Sequence, residues 1–426
     1  MTSDLPRVLV RVLNLVLERN GGQVSEWSER ELGRAAVLRA VAVDGPVSRS
    51  VLAGRLGVSP ATVTAITRDL LDDGLLEPAG KEPGGSRGRP AELLRVVPGA
   101  AVALGVKVAA TRVTGVLVDL LGHTLSGFEY PFAAHEHDPV ATLAAILHPH
   151  VEAAGQHLIG LGLGVPGVVD TSSGHVTAPT LQWTDVPVGP GLAELLHVPV
   201  VVDNDVNTLA IAEHLYGRAK GVDDALTVTI GRGIGLAITV GGRLHRGAQG
   251  GAGELGHTRA VVDGPLCGCG RSGCLEAIAS ETGMVQRAVS EGLLPAEGTP
   301  AALRDLARQD ARAAAIFAAA GAALGRSVGD LVNLLAPTLI LIAGEGTAAW
   351  TLLEAAFHAA FDEQVLDTHR AVEIAVDPWD DRAWAQGASS LLLGSVYAPE
   401  HVTRLGQGAE IRDRLQAVNG GVGDGR

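Results

Sequence analysis

The residues of this chain best suited to chemistry lie in one short stretch. Gly253-Glu-Leu-Gly-His257 is followed by Cys267-Gly-Cys269-Gly-Arg-Ser-Gly-Cys274-Leu-Glu276. His257, Cys267, Cys269 and Cys274 offer one imidazole and three thiolates, the donor number and type that a closed tetrahedral zinc site takes. The glycines between them let the backbone fold tightly around one ion. A closed shell has no open position for water, so the expected zinc is structural, pinning the loop that carries Glu254, His257 and Glu276. All 3 cysteines of the chain fall in this motif, which excludes a disulfide framework. A second constellation, Val201-Val-Asp203-Asn-Asp-Val-Asn207, sits at the end of an apolar strand, where ligand sites in α/β sheets collect.

These groups need a scaffold, and the pattern from about residue 101 supplies one. Apolar runs at Val102–Val106, Val113–Val118, Ile159–Val165, Val198–Val202, Leu226–Ile230, Leu236–Val240 and Leu339–Ala343 read as strands. Ala-rich helices lie between many of them, notably over 301–335, and a final helix runs near Arg382–Val396. Strands mixed with hairpins and long helices indicate an α/β architecture with mixed sheets. Aromatics make up 3% of the chain, so its cores are built from Ala, Val, Leu and Ile.

The first hundred residues have a different texture. Glu31–Val43 predicts a helix, Ser48 a cap for a second helix carrying Leu52, Ala53 and Leu56, and Gly57-Val58-Ser59 a tight turn. Ser59 as N-cap and Pro60 at the first position then start a third helix. On it Val63, Ile66, Thr67 and Leu70 form the inward stripe, while Ala61, Thr62, Thr64, Ala65 and Arg68 point outward. This small, polar face suits a DNA major groove. Strands at Leu75–Glu77 and Leu93–Val97 flank Lys81-Glu-Pro-Gly-Gly-Ser-Arg-Gly-Arg-Pro90, whose Arg87 and Arg89 suit a phosphate backbone or a narrow minor groove. Ser59, Thr62, Thr64, Arg68, Arg87 and Arg89 are the candidate DNA contacts.

Charge follows the same division. Residues 1–98 hold 13 of the chain's 33 basic and 12 of its 47 acidic residues, a balance of +1, leaving −15 of the net −14 to the remainder. A near-neutral head on an acidic body fits a head that meets an anion and a body that does not. The opening run from Leu5 to Leu17 is too short and too charged to span a bilayer and lacks a signal-type cleavage site. The reading is a cytoplasmic protein without membrane insertion. It divides into an accessory segment 1–30, a winged helix-turn-helix head 31–98, a body 101–397 and a flexible tail 404–426.

The stretch from His257 through Glu276 resembles the signature of the ROK family, which comprises bacterial sugar kinases, sugar epimerase-kinases and repressors. The head, with Gly88-Arg89-Pro90 in its wing, resembles the winged helix-turn-helix at the front of that family's regulators. The resemblance implies an actin-like, ribonuclease-H-like body of two α/β lobes, and a homodimer or homotetramer. It also implies that Asn204, Asp205, Glu254, His257 and Glu276 bind a sugar. The chemistry agrees: carboxylates accept from adjacent hydroxyls, and an Asn amide both donates and accepts.

Family kinases open with a strand and Asp-x-Gly-Gly-Thr, where this chain has Lys107-Val-Ala-Ala-Thr111. Lys107 inverts the charge beside the magnesium position, and Ala109 and Ala110 place methyl groups where phosphate oxygens would approach. Gly231-Arg-Gly-Ile-Gly235 retains part of a second phosphate loop, and Ala343-Gly-Glu-Gly346 the purine-side turn. The expectation is a regulator without enzymatic activity, responding to a sugar or sugar phosphate. An ATP-dependent sugar kinase with a regulatory head is the alternative, and control by a protein partner such as a sugar transporter stays open.

Overall fold

The structure, a computed structural model, describes residues 28–82, 90–135, 138–377, 381–397, 410–411 and 414–415. The accessory segment before residue 28, the wing tip with Arg87 and Arg89, and most of the tail lie outside the described residues. By its contacts the chain divides into two compact units: residues up to 203 with those from 385 onward, and residues 204–384.

The head is made of α1 (Glu29–Asp44), α2 (Arg49–Leu56) and α3 (Pro60–Asp72) with a sheet of β1 (Val47–Ser48), β2 (Leu76–Lys81) and β3 (Glu92–Val96), ordered β1-β3-β2. α1 begins two residues earlier than the sequence reading because Ser28 and Glu31 form a capping box. Glu31 N–H donates to Ser28 Oγ at 3.3 Å and Ser28 N–H to the Glu31 carboxylate at 2.6 Å. α3 starts as expected, with Thr62 N–H donating to Ser59 Oγ at 3.1 Å and Pro60 in the first turn. Ser48 departs from expectation. It precedes α2 but makes no cap bond; its backbone is drawn into β1 opposite Leu93, and its hydroxyl meets that of Ser50 at 3.0 Å. Val37, Leu52, Val63, Leu70 and Leu94 are buried together, each burial contributing roughly 1.5–3 kcal/mol.

The rest of the first unit holds β4 (Val102–Val108), β5 (Arg112–Asp119), β6 (Thr124–Pro131), α4 (Pro139–Ala154), β7 (Leu158–Val165), α5 (Val188–Leu196) and β11 (Val200–Asn204). Its main sheet runs β11-β7-β4-β5-β6. β4 pairs antiparallel with β5 and parallel with β7, so it is an interior strand; its residues are buried on both faces along almost its whole length, which is why it reads as a continuous apolar run. An inserted sheet of β8 (Val168–Asp170), β9 (His175–Ala178) and β10 (Trp183–Val186) was not foreseen. Trp183, in the Pro179–Trp183 segment, anchors it: the indole is buried and donates to Ala134 O at 2.7 Å. In the tail, Ile411 and Leu415 are helical and buried.

The second unit contains α6 (Asp205–Leu215), β12 (Ala225–Ile230), β13 (Ile234–Val240), β14 (Arg243–Leu244), α7 (Glu276–Ala279), α8 (Glu281–Ser290), α9 (Pro300–Ala307), α10 (Ala311–Leu335), β15 (Leu339–Ala343), α11 (Trp350–Gln364) and β16 (Glu373–Val376). A last helix, α12 (Asp381–Tyr397), begins here and continues into the first unit. The sheet order, β14-β13-β12-β15-β16, repeats that of the first unit: third, second, first, fourth and fifth strand. β12 pairs antiparallel with β13 and parallel with β15, as β4 does with β5 and β7. This duplicated order is the actin-like arrangement.

The Ala-rich stretch expected to be helical over 301–335 holds two helices, α9 and α10. Asp310 accepts from Arg312 N–H at 2.7 Å and caps a new start. Among the described residues, α10 is the one helix long and apolar enough to cross a membrane. Its stripe of Ala313, Phe317, Ala320, Leu324, Val328 and Val332 is instead buried in the second unit's core with Leu353 and Phe357 of α11. The two helices meet at glycines: a methyl group on Gly325 would lie 2.2 Å from Phe357 O. Gly325→Ala would gain about 1 kcal/mol of helix propensity but lose roughly 1–3 kcal/mol to overpacking, and moving a backbone carbonyl sits at the upper end. Urea unfolding is expected to show a net loss of about 1–2 kcal/mol.

Candidate metal centre and ligand site

Every residue assigned to metal or sugar falls within residues 204–276, in the second unit. The first three residues of β13 are the wall they share. A methyl group on Gly235 would touch Val206 Cγ2 at 2.5 Å, so the start of α6, with Asn204 and Asp205, lies directly against this wall. A methyl on Gly256 would lie 2.5 Å from Ile234 O. Gly253 has φ +91° and leaves a Cβ position only 2.0 Å from Leu236 O. The segment carrying Glu254 and His257 therefore rests backbone to backbone on β13. Ile234 N–H donates to Glu276 Oε2 at 3.3 Å, bringing the last acid to the same strand. Leu255 and Leu275 are buried in the adjoining core and anchor both segments.

Beyond His257 the chain folds as an irregular hairpin, with bridges Arg259↔Cys274 and Leu266↔Ser272. Cys267 N–H donates to Arg271 O at 2.8 Å and Gly270 N–H to Cys267 O at 2.9 Å. These turns gather the donors of His257, Cys267, Cys269 and Cys274 within 4.8 Å of one another. His257 Nδ1 lies 3.7 Å from Cys267 Sγ, and Cys269 Sγ 3.7 Å from Cys274 Sγ. With metal–sulfur bonds near 2.3 Å, a tetrahedral shell has sulfur–sulfur edges of about 3.8 Å, so the donor set fits zinc in spacing and kind. Burial pushes the Cys267 thiol up to about 11 and raises that of Cys274, whereas a hydrogen bond from Arg271 brings Cys269 down to about 6. Arg271 was not singled out from the sequence; its place between two of the cysteines was the available signal.

The imidazole joins the metal donors to the ligand acids. While Nδ1 faces Cys267, Nε2 lies 3.9 Å from Glu254 Oε2, so the two ring nitrogens face the thiol cluster and a carboxylate on opposite sides. Asn204 is the N-cap of α6: its Oδ1 accepts from Val206 N–H at 2.9 Å and Asn207 N–H at 3.3 Å, which sets the direction of its carboxamide. Asp205 Oδ1 accepts from Val206 N–H at 3.0 Å. Glu276 is half-buried, with Oε1 3.9 Å from Cys267 Sγ.

In the head, Ser59, Thr62, Thr64 and Arg68 all lie on the exposed face of α3, and Val63, Thr67 and Leu70 on its buried face. Thr64 Oγ1 donates to Pro60 O at 2.7 Å, and the Ser59 and Thr62 hydroxyls meet at 2.8 Å. Carboxylates pair with Arg30, Arg34, Arg49, Arg55 and Arg95. Arg49 also donates to Thr67 at 3.0 Å, tying α2 to α3, a role its sequence position did not reveal. Arg68 is exposed and has no such partner among the described residues. Arg87 and Arg89 lie outside the described residues.

Removing one donor tests the metal centre. Cys269→Ser is expected to lower zinc from one per chain to well below it, because metal binding and local folding are linked. The melting temperature should fall by at least about 4 °C, the shift of roughly 1–2 kcal/mol in a domain of this size. Elemental analysis and calorimetry of the purified variant give both readings, and full metal content with an unchanged melting profile refutes the ligand set.

Comparisons with known proteins agree with this arrangement. The ROK family pattern matches residues 103–395, and a winged helix-turn-helix DNA-binding pattern matches residues 35–77. The N-acetylglucosamine repressor of Escherichia coli O6:H1 is 29% identical over 382 residues, covering 85% of this chain and 92% of that protein. The xylose repressor of Caldicellulosiruptor bescii is 27% identical over 396 residues, covering 87% and 98%. A crystal structure of a ROK family transcriptional regulator, a homologue of the E. coli Mlc protein, superposes with a TM-score of 0.77 at 25% identity, over 91% of this chain and 99% of that one. Both patterns and these full-length similarities join the same head to the same body, so the chain belongs to the ROK family as one of its transcriptional regulators with a winged helix-turn-helix head.

Proposed function

We propose that this chain is a DNA-binding repressor of carbohydrate metabolism whose operator affinity is set by a sugar or sugar phosphate held by Asn204, Asp205, Glu254, His257 and Glu276. Zinc at His257, Cys267, Cys269 and Cys274 is structural. It neutralises the thiolates, and it holds the imidazole whose other nitrogen faces Glu254. The observation that carries the reading is the exposed stripe of Thr62, Thr64 and Arg68 on α3, joined in one chain to a cluster of hydroxyl-accepting acids.

Sites of this kind reject molecules without the matching hydroxyls, because buried polar groups would be left unpaired. The functional parts are the head 31–98 and the body 101–397, flanked by the accessory segment 1–30 and the tail 404–426. The protein works in the cytoplasm as a homodimer or homotetramer on paired operator half-sites. The effector acts by binding one arrangement of the protein more tightly than another.

Kinase activity is not part of the proposal. Lys107, near the end of β4, stands where the kinases carry the acid beside the nucleotide's metal, and Ala109 N–H donates to Arg112 O in the turn that follows. Phosphoryl transfer rests on positioning and electrostatic stabilisation of the phosphates, and a cation replacing that acid opposes metal binding. An ADP-release assay with a hexose panel is expected to stay at background.

Fluorescence anisotropy with operator DNA tests the central claim. Arg68→Ala should weaken operator binding roughly 5- to 150-fold, the loss of about 1–3 kcal/mol at a base contact, while sugar binding by calorimetry is unchanged. At least one carbohydrate should shift the operator curve of the wild-type protein. A curve unmoved by free and phosphorylated hexoses and pentoses, or by the Arg68 substitution, overturns it.

A further inference from the structure

The Gly231–Gly235 loop joins β12 to β13 and would be the chain's second phosphate-binding loop. Two of its backbone amides, those of Gly231 and Ile234, are already engaged. Ile230 and Ile234 pair across the turn, and Gly231 N–H donates to Gly233 O at 3.0 Å. Ile234 N–H donates to the Glu276 carboxylate. Two carboxylates also lie over the open sides of the loop. A methyl group on Gly233 would stand 2.5 Å from Glu276 Oε2, and one on Gly231 would stand 2.9 Å from the carboxyl carbon of Glu345 and 3.0–3.1 Å from its oxygens.

A third acid sits behind them. Glu281 N–H donates to Gly231 O at 2.8 Å, and its carboxylate meets Arg304 at 3.2 Å. Burial first, and Glu345 next, push the Glu281 carboxyl above its ordinary range, which places Glu345 within electrostatic reach of it. Arg304 is thus engaged with Glu281. The loop's own basic residue, Arg232, is exposed.

We propose that Glu276 and Glu345 fill the anion cradle of the Gly231–Gly235 loop with the chain's own carboxylates, so that the loop excludes phosphate groups and the site takes an uncharged, unphosphorylated sugar. The choice of effector rests on the sugar-binding reading above; the exclusion of phosphate by the loop does not. A phosphate arriving at the loop meets two carboxylates at contact distance, and finds the amides of Gly231 and Ile234 already taken. Like charges a few ångströms apart repel strongly where the protein displaces bulk water. A free sugar carries no charge for them to oppose, and its hydroxyls donate to the same carboxylates.

Two titrations of the full-length protein test this, each reading a different part. In the first, calorimetry compares hexoses and pentoses with their own phosphate esters. The free sugar is expected to bind at least tenfold more tightly than its ester, and an ester that binds equally or better overturns the choice of effector. In the second, inorganic pyrophosphate is titrated into wild type, Glu345→Gln and Glu345→Asp, each first shown to melt like wild type. Glu345→Gln is expected to gain at least tenfold in pyrophosphate affinity, and Glu345→Asp, which keeps the charge, to match wild type. Equal affinity in wild type and Glu345→Gln, or no measurable binding by either, overturns the carboxylate's part in exclusion. If no sugar or ester binds while the pyrophosphate series behaves as expected, the sugar reading fails and the self-filled loop stands.

Discussion

The site depends on how closely separate chain segments approach the backbone of Ile234, Gly235 and Leu236. Gly253 and Gly256 bring the Glu254–His257 segment within reach of two carbonyls of this strand, and Gly235 does the same for the start of α6. Close packing allows no slack here, since one added methyl group forces backbone to move. The strand is held in turn by β12 on one side and β14 on the other. The chemistry-bearing residues are therefore positioned by rigid sheet rather than by the loops that carry them, which is what a binding site needs to keep its geometry.

A metal at the His257, Cys267, Cys269 and Cys274 cluster, as proposed, would solve a second problem, that of holding an irregular, glycine-rich hairpin in one shape. Such a segment loses much conformational entropy on folding, and its few turn hydrogen bonds offset little of that. Two of its thiols are buried, where the protonated form is favoured; a divalent cation reverses this by deprotonating and binding them together. His257 carries the consequence outward, because one ring serves the donor cluster and Glu254 at once. Under the proposed function, order at a bound metal would thereby reach Glu254.

The head follows a different economy. Its arginines are mostly spent on internal ion pairs, Arg34 with Asp73 and Arg95 with Glu77 among them; an exposed pair such as the second stabilises by at most about 1 kcal/mol. Their larger effect is to remove positive charge from the general surface. Arg68 is left on the exposed face of α3, beside hydroxyls already ordered by the helix start. A surface so arranged relies on where its cation points more than on total charge, consistent with a head whose net balance is only +1.

What the amino-acid order determined by itself is local. The third helix of the head, with its Ser59 cap and its buried and exposed faces, was legible because 3.6-residue periodicity and capping need only neighbours in sequence. The clustering of His257, Cys267, Cys269 and Cys274 was legible for the same reason, the four potential donors lying within eighteen residues. The capping box at Ser28 and Glu31 was equally local but was passed over among helix-forming neighbours. The tertiary structure alone decided the rest. The matching strand orders of the two units, the meeting of α6, Glu254 and Glu276 on β13, and the carboxylate of Glu345 over Gly231 join residues up to about a hundred positions apart. Such encounters are set by sheet pairing and by the space a missing side chain leaves, and neither writes a periodic signal into the chain.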